Sequence, residues 1–154
     1  MNKNLPVSDL TPVVAELIKS GTDVRLTVTG NSMFPMIRSL RNSVVITKAP
    51  AVLKKYDIPL VQRENGDYVL HRIIRIKSGE YYLNGDNQYF VEKGIKNSQV
   101  IGVVKSFTRR GREFNCENPI YKIYTRFWVF IKPFRGIVNW VYLKTVAKLK
   151  RRLK

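Results

Sequence analysis

Alternating apolar and polar residues predict a mainly β chain whose first long strand leads into a serine-containing loop. Val24, Leu26 and Val28 alternate with polar residues, as in a strand with one buried face, and the pattern ends at Gly30. Further strands are predicted at 44–47, 68–76, 81–83 and 100–107, with turn sequences at 65–67, 85–87 and 109–111. Ser32 therefore lies just beyond the exit of a strand.

A helix of about residues 10–20 precedes these strands. Thr11 suits the N-cap position, Pro12 suits the first helical position, and Gly21 marks the end. Its apolar residues recur at helical spacing and predict one face packed on the sheet: Leu10, Val13, Val14, Leu17 and Ile18.

A second helical pattern begins near residue 119, where the composition changes. Apolar residues three and four positions apart predict one apolar helix face, formed by Ile120, Ile123, Tyr124, Phe127, Trp128 and Ile131. Pro133 and Gly136 interrupt the pattern, and a second apolar segment begins at 137. We therefore expect a domain over 1–118 and a basic amphipathic helical extension over 119–154.

Charge is concentrated in that extension. The formal charge is +17, and residues 119–154 contain ten Lys and Arg but no Asp or Glu. Such a segment binds polyanions, either nucleic acid or an anionic membrane surface. Lys132 and Arg135 interrupt the apolar sequence, so a helix pair in the membrane interface fits better than a span, and the apolar runs make nucleic acid the poorer partner. The alternative is that this apolar face packs on the domain or on a second subunit.

The remaining composition limits the possible classes of protein. A length of 154 residues suits one domain, and a single cysteine, Cys116, excludes an intramolecular disulfide and a cysteine-rich zinc site. No metal, organic cofactor or ATP-binding motif is indicated. The N-terminal residues lack the apolar core of a secretory signal, so we expect a peripheral membrane protein on the cytoplasmic face.

Two residues suggest chemistry when they are considered together. His71 is the single histidine in the chain, and histidine is the side chain best suited to accept a proton near neutral pH. Ser32 follows Gly30 by two positions. Separately, a serine in a glycine-containing turn and a histidine on a strand are ordinary structural residues.

Three sequence runs occur in the order found in signal peptidases. They are GNSMFP at 30–35, YVLHRII at 68–74 and LNGDN at 83–87. The first resembles the serine box G-x-S-M-x-P, the second the His-Arg box of endoplasmic reticulum and archaeal signal peptidases, and the third the final G-D-N box. Over about residues 21–107 the chain resembles S24/S26 serine peptidases, in particular compact members without an N-terminal membrane anchor.

The resemblance implies a signal-peptidase/LexA-like twisted β-sheet domain and a set of catalytic residues. Ser32 would be the nucleophile and His71 its general base. A carboxylate should orient the imidazole; the family pattern leaves Asp86 and Glu92 as candidates, with Glu92 preferred because Asp86 also suits a turn. Arg72 is expected to be solvated or paired with a carboxylate.

The same resemblance implies how substrate binds. Gly30, Met33 and Pro35 would shape the loop around the nucleophile and the substrate. Gly30 stands where many bacterial relatives have an oxyanion-binding serine, so the backbone N–H of Ser32 or the hydroxyl of Thr29 would be the donor. The substrate would be an extended peptide or preprotein, cleaved after small residues and bound as an added strand.

Two other functions remain open from the sequence. A self-cleaving repressor shares the fold, but such proteins use a lysine base and carry a DNA-binding domain, whereas only about 20 residues precede the first strand here. A noncatalytic module that binds membrane or nucleic acid through the basic extension is the stronger alternative.

Overall fold

The chain is mainly β, as the alternating pattern predicts. A computed structural model describes residues 5–6 and 12–134. Within them the elements follow the order β1 (Leu5–Pro6), α1 (Pro12–Ser20), β2 (Val24–Thr27), β3 (Ser43–Thr47), β4 (Pro59–Gln62), β5 (Tyr68–Leu70), β6 (Arg72–Lys77), β7 (Glu80–Asn84), β8 (Glu92–Ile95), β9 (Val100–Arg109), β10 (Arg112–Asn115) and α2 (Pro119–Phe130).

The larger sheet is organised around the long strand β9. Its strand order is β1-β2-β3-β9-β4-β5, and β10 pairs with the end of β9 as a hairpin. All pairs are antiparallel except β1 with β2. Strand β5 ends this order, and no strand within residues 5–6 and 12–134 pairs with the other side of its backbone.

The smaller sheet has the order β6-β7-β8. The single strand expected at 68–76 is therefore wrong, because β5 and β6 belong to different sheets. The chain changes sheet at His71, which belongs to neither strand. This break places His71 at the junction of the two sheets rather than in the middle of a ladder.

Helix α1 packs on the larger sheet through a narrower face than expected. Ala15 and Ile18 are buried and Val14 is partly buried against the core. Val13 and Leu17 are exposed, so their predicted packing is wrong: they lie outside the narrow helix face that Ala15 and Ile18 bury. Leu10 and Thr11 lie outside the described residues.

Helix α2 has two distinct sides, which corrects the prediction of one common apolar face. Tyr121 and Thr125 are buried, and Tyr124 and Trp128 are partly buried against the domain. Large apolar residues occupy the exposed side: Ile120, Ile123, Phe127 and Phe130. The helical segment predicted from 137 lies outside the described residues. None of the helices in the described part of the chain is both long enough and apolar enough to cross a membrane.

Candidate active site

The loop that carries Ser32 begins where β2 ends. Gly30 has a φ of +85°, a conformation that glycine adopts without the strain other residues would meet. Its N–H donates to Ser39 Oγ at 3.1 Å, which closes the loop on itself. The Met33 side chain is buried in the core and Pro35 is partly buried, so both anchor the loop, while Ser32 remains partly exposed.

The turn at 85–87 lies directly against the backbone of Ser32. The Asn87 N–H donates to the Ser32 carbonyl oxygen at 2.7 Å. A Cβ atom added to Gly85 would lie 2.8 Å from that same oxygen, so the absence of a side chain permits the approach. The first and third motifs of the sequence therefore meet through backbone atoms.

His71 is buried and contacts a carboxylate. Its exposed fraction is 3%, and its Nδ1 lies 2.5 Å from Glu92 Oε1. Arg63 donates to both oxygens of the same carboxylate, from Nε to Oε2 and from Nη2 to Oε1, each at 2.8 Å. This bidentate contact fixes the plane of the Glu92 carboxylate and hence the direction of its bond to the imidazole.

The protonation states of His71 and Glu92 follow from their surroundings. Burial lowers the pKa of His71 because it disfavours the imidazolium, although the Glu92 charge acts in the opposite direction. Partial burial acts to raise the pKa of Glu92, but hydrogen bonds and positive charge from Arg63 and His71 outweigh it and the pKa is lowered. Since an ionised carboxylate only accepts hydrogen bonds, Nδ1 carries the hydrogen of neutral His71 and Nε2 is the free acceptor.

Ser32 and His71 line the same small pocket. Its volume is about 140 Å³, and its walls are formed by Val28, Thr29, Ser32, Met33, Tyr68, Val69, Leu70 and His71. Among the described residues, no hydrogen bond joins the Ser32 hydroxyl to His71. Catalytic hydrogen bonds of this type often form fully only when substrate is bound.

Two donors in this pocket have no competing partner. Neither the backbone N–H of Ser32 nor the hydroxyl of Thr29 has a hydrogen-bond partner within residues 5–6 and 12–134. Both groups are therefore free to bind an oxygen atom in the pocket.

Asp86 pairs with Arg72, and its negative charge also acts to raise the pKa of His71. Arg72 donates from Nε and Nη2 to the two carboxylate oxygens of Asp86, at 2.8 and 2.6 Å. Of the two states expected for Arg72, the carboxylate-paired one is correct and the solvated one is wrong, because the side chain is completely buried. Ser32, His71 and Glu92 thus converge on one site, while Asp86 lies in a separate buried pair.

Several residues of the site have no signal in the sequence. Arg63 precedes a turn and reads as an ordinary surface cation, yet it binds Glu92. From α2, the Tyr121 hydroxyl accepts a hydrogen bond from Arg72 at 3.0 Å, and Trp128 Nε1 donates to the Asp86 carbonyl at 3.1 Å. These contacts join residues far apart in the chain and depend on the final packing.

The described part of the chain offers neither a metal site nor a reactive cysteine as a second chemical centre. His, Cys, Asp and Glu side chains do not group there in threes as a metal site would require. Burial raises the pKa of the Cys116 thiol to about 11, so it stays protonated and poorly nucleophilic.

Comparison with protein-family models finds no match to this chain, and comparison with curated proteins finds no significant one.

Proposed function

We propose that this chain is a serine endopeptidase of the signal-peptidase type, with the S24/S26 fold, in which Ser32 is the nucleophile and His71 the general base. The observation that carries the proposal is the convergence of three groups. Ser32 and His71 line one pocket, and Glu92 is bound to His71 Nδ1, so that Nε2 is the nitrogen available to the serine. A nucleophile, a base and a group that orients the base form the pattern required for acyl transfer.

The chemistry follows from these roles. His71 Nε2 removes the proton of Ser32 Oγ as the oxygen attacks the peptide carbonyl, and the resulting imidazolium is stabilised by Glu92. The oxyanion is bound by the Ser32 N–H and the Thr29 hydroxyl. The imidazolium then protonates the leaving amine, which yields an acyl-enzyme. Water, deprotonated by His71, attacks the acyl carbon, and the proton returns to Ser32 as the acid product leaves.

The substrate is an extended peptide or preprotein segment. Strand β5 pairs with β4 on one side, and its residues also line the pocket that contains Ser32. A peptide can therefore add to the free edge of β5, with backbone hydrogen bonds for binding and the pocket for selection of a side chain. A pocket of about 140 Å³ favours a small residue before the scissile bond.

The test is cleavage of a peptide library, with products identified by mass spectrometry. Wild-type protein should generate new termini, whereas Ser32→Ala and His71→Ala should generate none while remaining folded by circular dichroism. Ser98→Ala, an exposed serine in the 3₁₀ turn Asn97–Gln99, is the matched control and should cleave normally. Full activity in either active-site variant would refute the assignment.

A second candidate is a noncatalytic binding module on the same fold. It is favoured by the lack of a hydrogen bond between Ser32 and His71 among the described residues and by the strongly basic extension. If the folded wild-type protein leaves the whole library intact, this candidate replaces the peptidase.

A further inference from the structure

The inward side of α2 is attached to the domain by polar contacts. Arg72 Nη1 donates to the Tyr121 hydroxyl at 3.0 Å and to Thr125 Oγ1 at 3.5 Å. Trp128 donates to the Asp86 carbonyl, and its ring stacks on Tyr124 with 6.0 Å between centroids. These contacts fix the rotation of α2 about its own axis.

The outward side of α2 is therefore held towards solvent, and it is apolar. The side chains of Ile120, Ile123, Phe127, Phe130 and Phe134, here called the outer α2 face, are each 58–78% exposed. They recur every three or four residues, so they form a continuous row along the helix and the 3₁₀ turn after it. A contiguous exposed apolar row of this length marks a surface that binds a partner.

The charges around the outer α2 face indicate which kind of partner it binds. Arg126 and Lys132 accompany the apolar row, Lys122 beside them pairs with Glu117, and the chain from 119 to 154 contains ten Lys and Arg without a single Asp or Glu. An apolar row flanked by cations matches the acyl chains and headgroups of an anionic lipid leaflet. A second copy of this chain would bring the same cations together. Nucleic acid fits the row less well than lipid, because Ile120 and Ile123, two of its five residues, have no aromatic ring to stack on a base.

We propose that the outer α2 face is a docking surface for anionic lipid bilayers. The helix lies in the plane of the interface, its Ile and Phe side chains enter the acyl-chain boundary, and its cations contact the headgroups. Because the inward side is attached to Arg72 and Asp86, lipid contact by α2 anchors the domain itself. This surface operates whether or not the domain is a peptidase.

The experiment is cosedimentation of the full chain with vesicles of equimolar phosphatidylcholine and phosphatidylglycerol. The test variant is Ile123→Ser with Phe127→Ser. The matched control is Val13→Ser with Leu17→Ser, which removes two exposed apolar residues at the same spacing from α1, where they are 65% and 44% exposed. The α2 variant should bind at least about tenfold more weakly, and the α1 variant should bind as the wild type does. Phe130→Ser, in the last turn of α2, is a second variant in case the double variant fails to fold.

Several results would overturn the proposal. One is unchanged vesicle binding by folded α2 variants, and another is equal binding to pure phosphatidylcholine. A dimer detected by light scattering and abolished by the α2 substitutions would assign the face to a second copy. Retardation of single-stranded RNA that is lost in the α2 variants, without vesicle binding, would assign it to nucleic acid.

Discussion

Arg72 binds both carboxylate oxygens of Asp86 in a pair from which solvent is almost absent, with exposed fractions of 0% and 1%. The positions of the two residues in the chain show which parts of the site the pair connects. Arg72 follows His71 directly, and Asp86 precedes Asn87, whose N–H holds the Ser32 carbonyl. The ion pair therefore connects the segment that carries the base to the turn that supports the nucleophile.

Breaking this pair should destabilise the protein strongly. Asp86→Asn leaves the Arg72 guanidinium buried without a counter-charge, and removal of one partner of a buried pair costs about 3–5 kcal/mol. Arg72→Met should cost a similar amount for the same reason. The free energy of unfolding from urea titration followed by circular dichroism measures both.

The double variant Arg72→Met with Asp86→Leu is the control for this prediction. It removes both charges, so it should recover a substantial part of the loss in either single variant. If the double variant instead lost as much free energy of unfolding as the two single variants together, the uncompensated charge would not be the cause of the destabilisation.

Gly85 provides a test of the contact with the nucleophile loop. In Gly85→Ala, the new Cβ would lie 2.8 Å from the Ser32 carbonyl oxygen, and backbone cannot move aside as a flexible side chain can. Displacement of Ser32 should lower kcat by about a hundredfold, because catalysis depends on near-attack geometry. Peptide cleavage under saturating substrate measures this loss.

Gly79→Ala is the comparison for Gly85→Ala. Gly79 lies in the turn between β6 and β7 with a φ of +77° and open space around its Cβ position, so alanine there costs stability without touching the site. Its kcat should be unchanged. Equal kcat in the two variants would show that the Gly85 contact does not position Ser32.

The fold could be predicted from the sequence where a strand has one buried face. Strand β3 shows this pattern most clearly, with Val44 and Ile46 buried between partly exposed residues, and β2 buries Leu26. Strand β4 was missed because it begins with Pro59 and is almost wholly buried, so it does not alternate. Strand β8 was missed because it is four residues long and contains Gly94 at a φ of +76°.

Long-range contacts account for what the sequence could not predict. A run of residues that all favour a strand, as at 68–76, cannot show that the chain leaves one sheet and joins another at His71. The contacts within the site also could not be predicted, because they join residues far apart in the sequence. Arg63 and Glu92 are 29 positions apart, and Asp86 and Trp128 are 42 apart. The motifs single out Ser32 and His71, but only the packed chain shows which side chains contact them.

Two tyrosines of α2 should respond oppositely to loss of the hydroxyl. The Tyr121 hydroxyl accepts a hydrogen bond from Arg72, whereas the buried Tyr124 hydroxyl has no partner among the described residues. Tyr121→Phe should lower the free energy of unfolding by about 1–3 kcal/mol, and Tyr124→Phe should leave it unchanged or raise it. Thermal and urea unfolding of the two variants measure this difference, and a larger loss in Tyr124→Phe would contradict it.

The pH dependence of cleavage provides the sharpest test of the base. Cleavage requires neutral His71, so kcat/KM should rise with pH through the pKa of His71, which burial holds below its ordinary value of 6.5. The contribution of His71 to the free energy of unfolding should also rise with pH. Because the unfolded chain binds a proton at higher pH than the buried imidazole, the contribution of His71 is present above about pH 6.5 and is lost as the pH falls.

Substitutions of Glu92 and Arg63, two of the charged residues that act on His71, should move this acid limb in opposite directions. The Glu92 carboxylate raises the pKa of His71, so Glu92→Gln should shift the midpoint of kcat/KM to lower pH and reduce its plateau by about a hundredfold or more, because the imidazolium loses its counter-charge. The Arg63 charge lowers the same pKa, so Arg63→Gln should shift the midpoint to higher pH. Midpoints that remain at the wild-type pH would show that the two residues act only structurally. Midpoints that move in the same direction would contradict His71 as the titrating base.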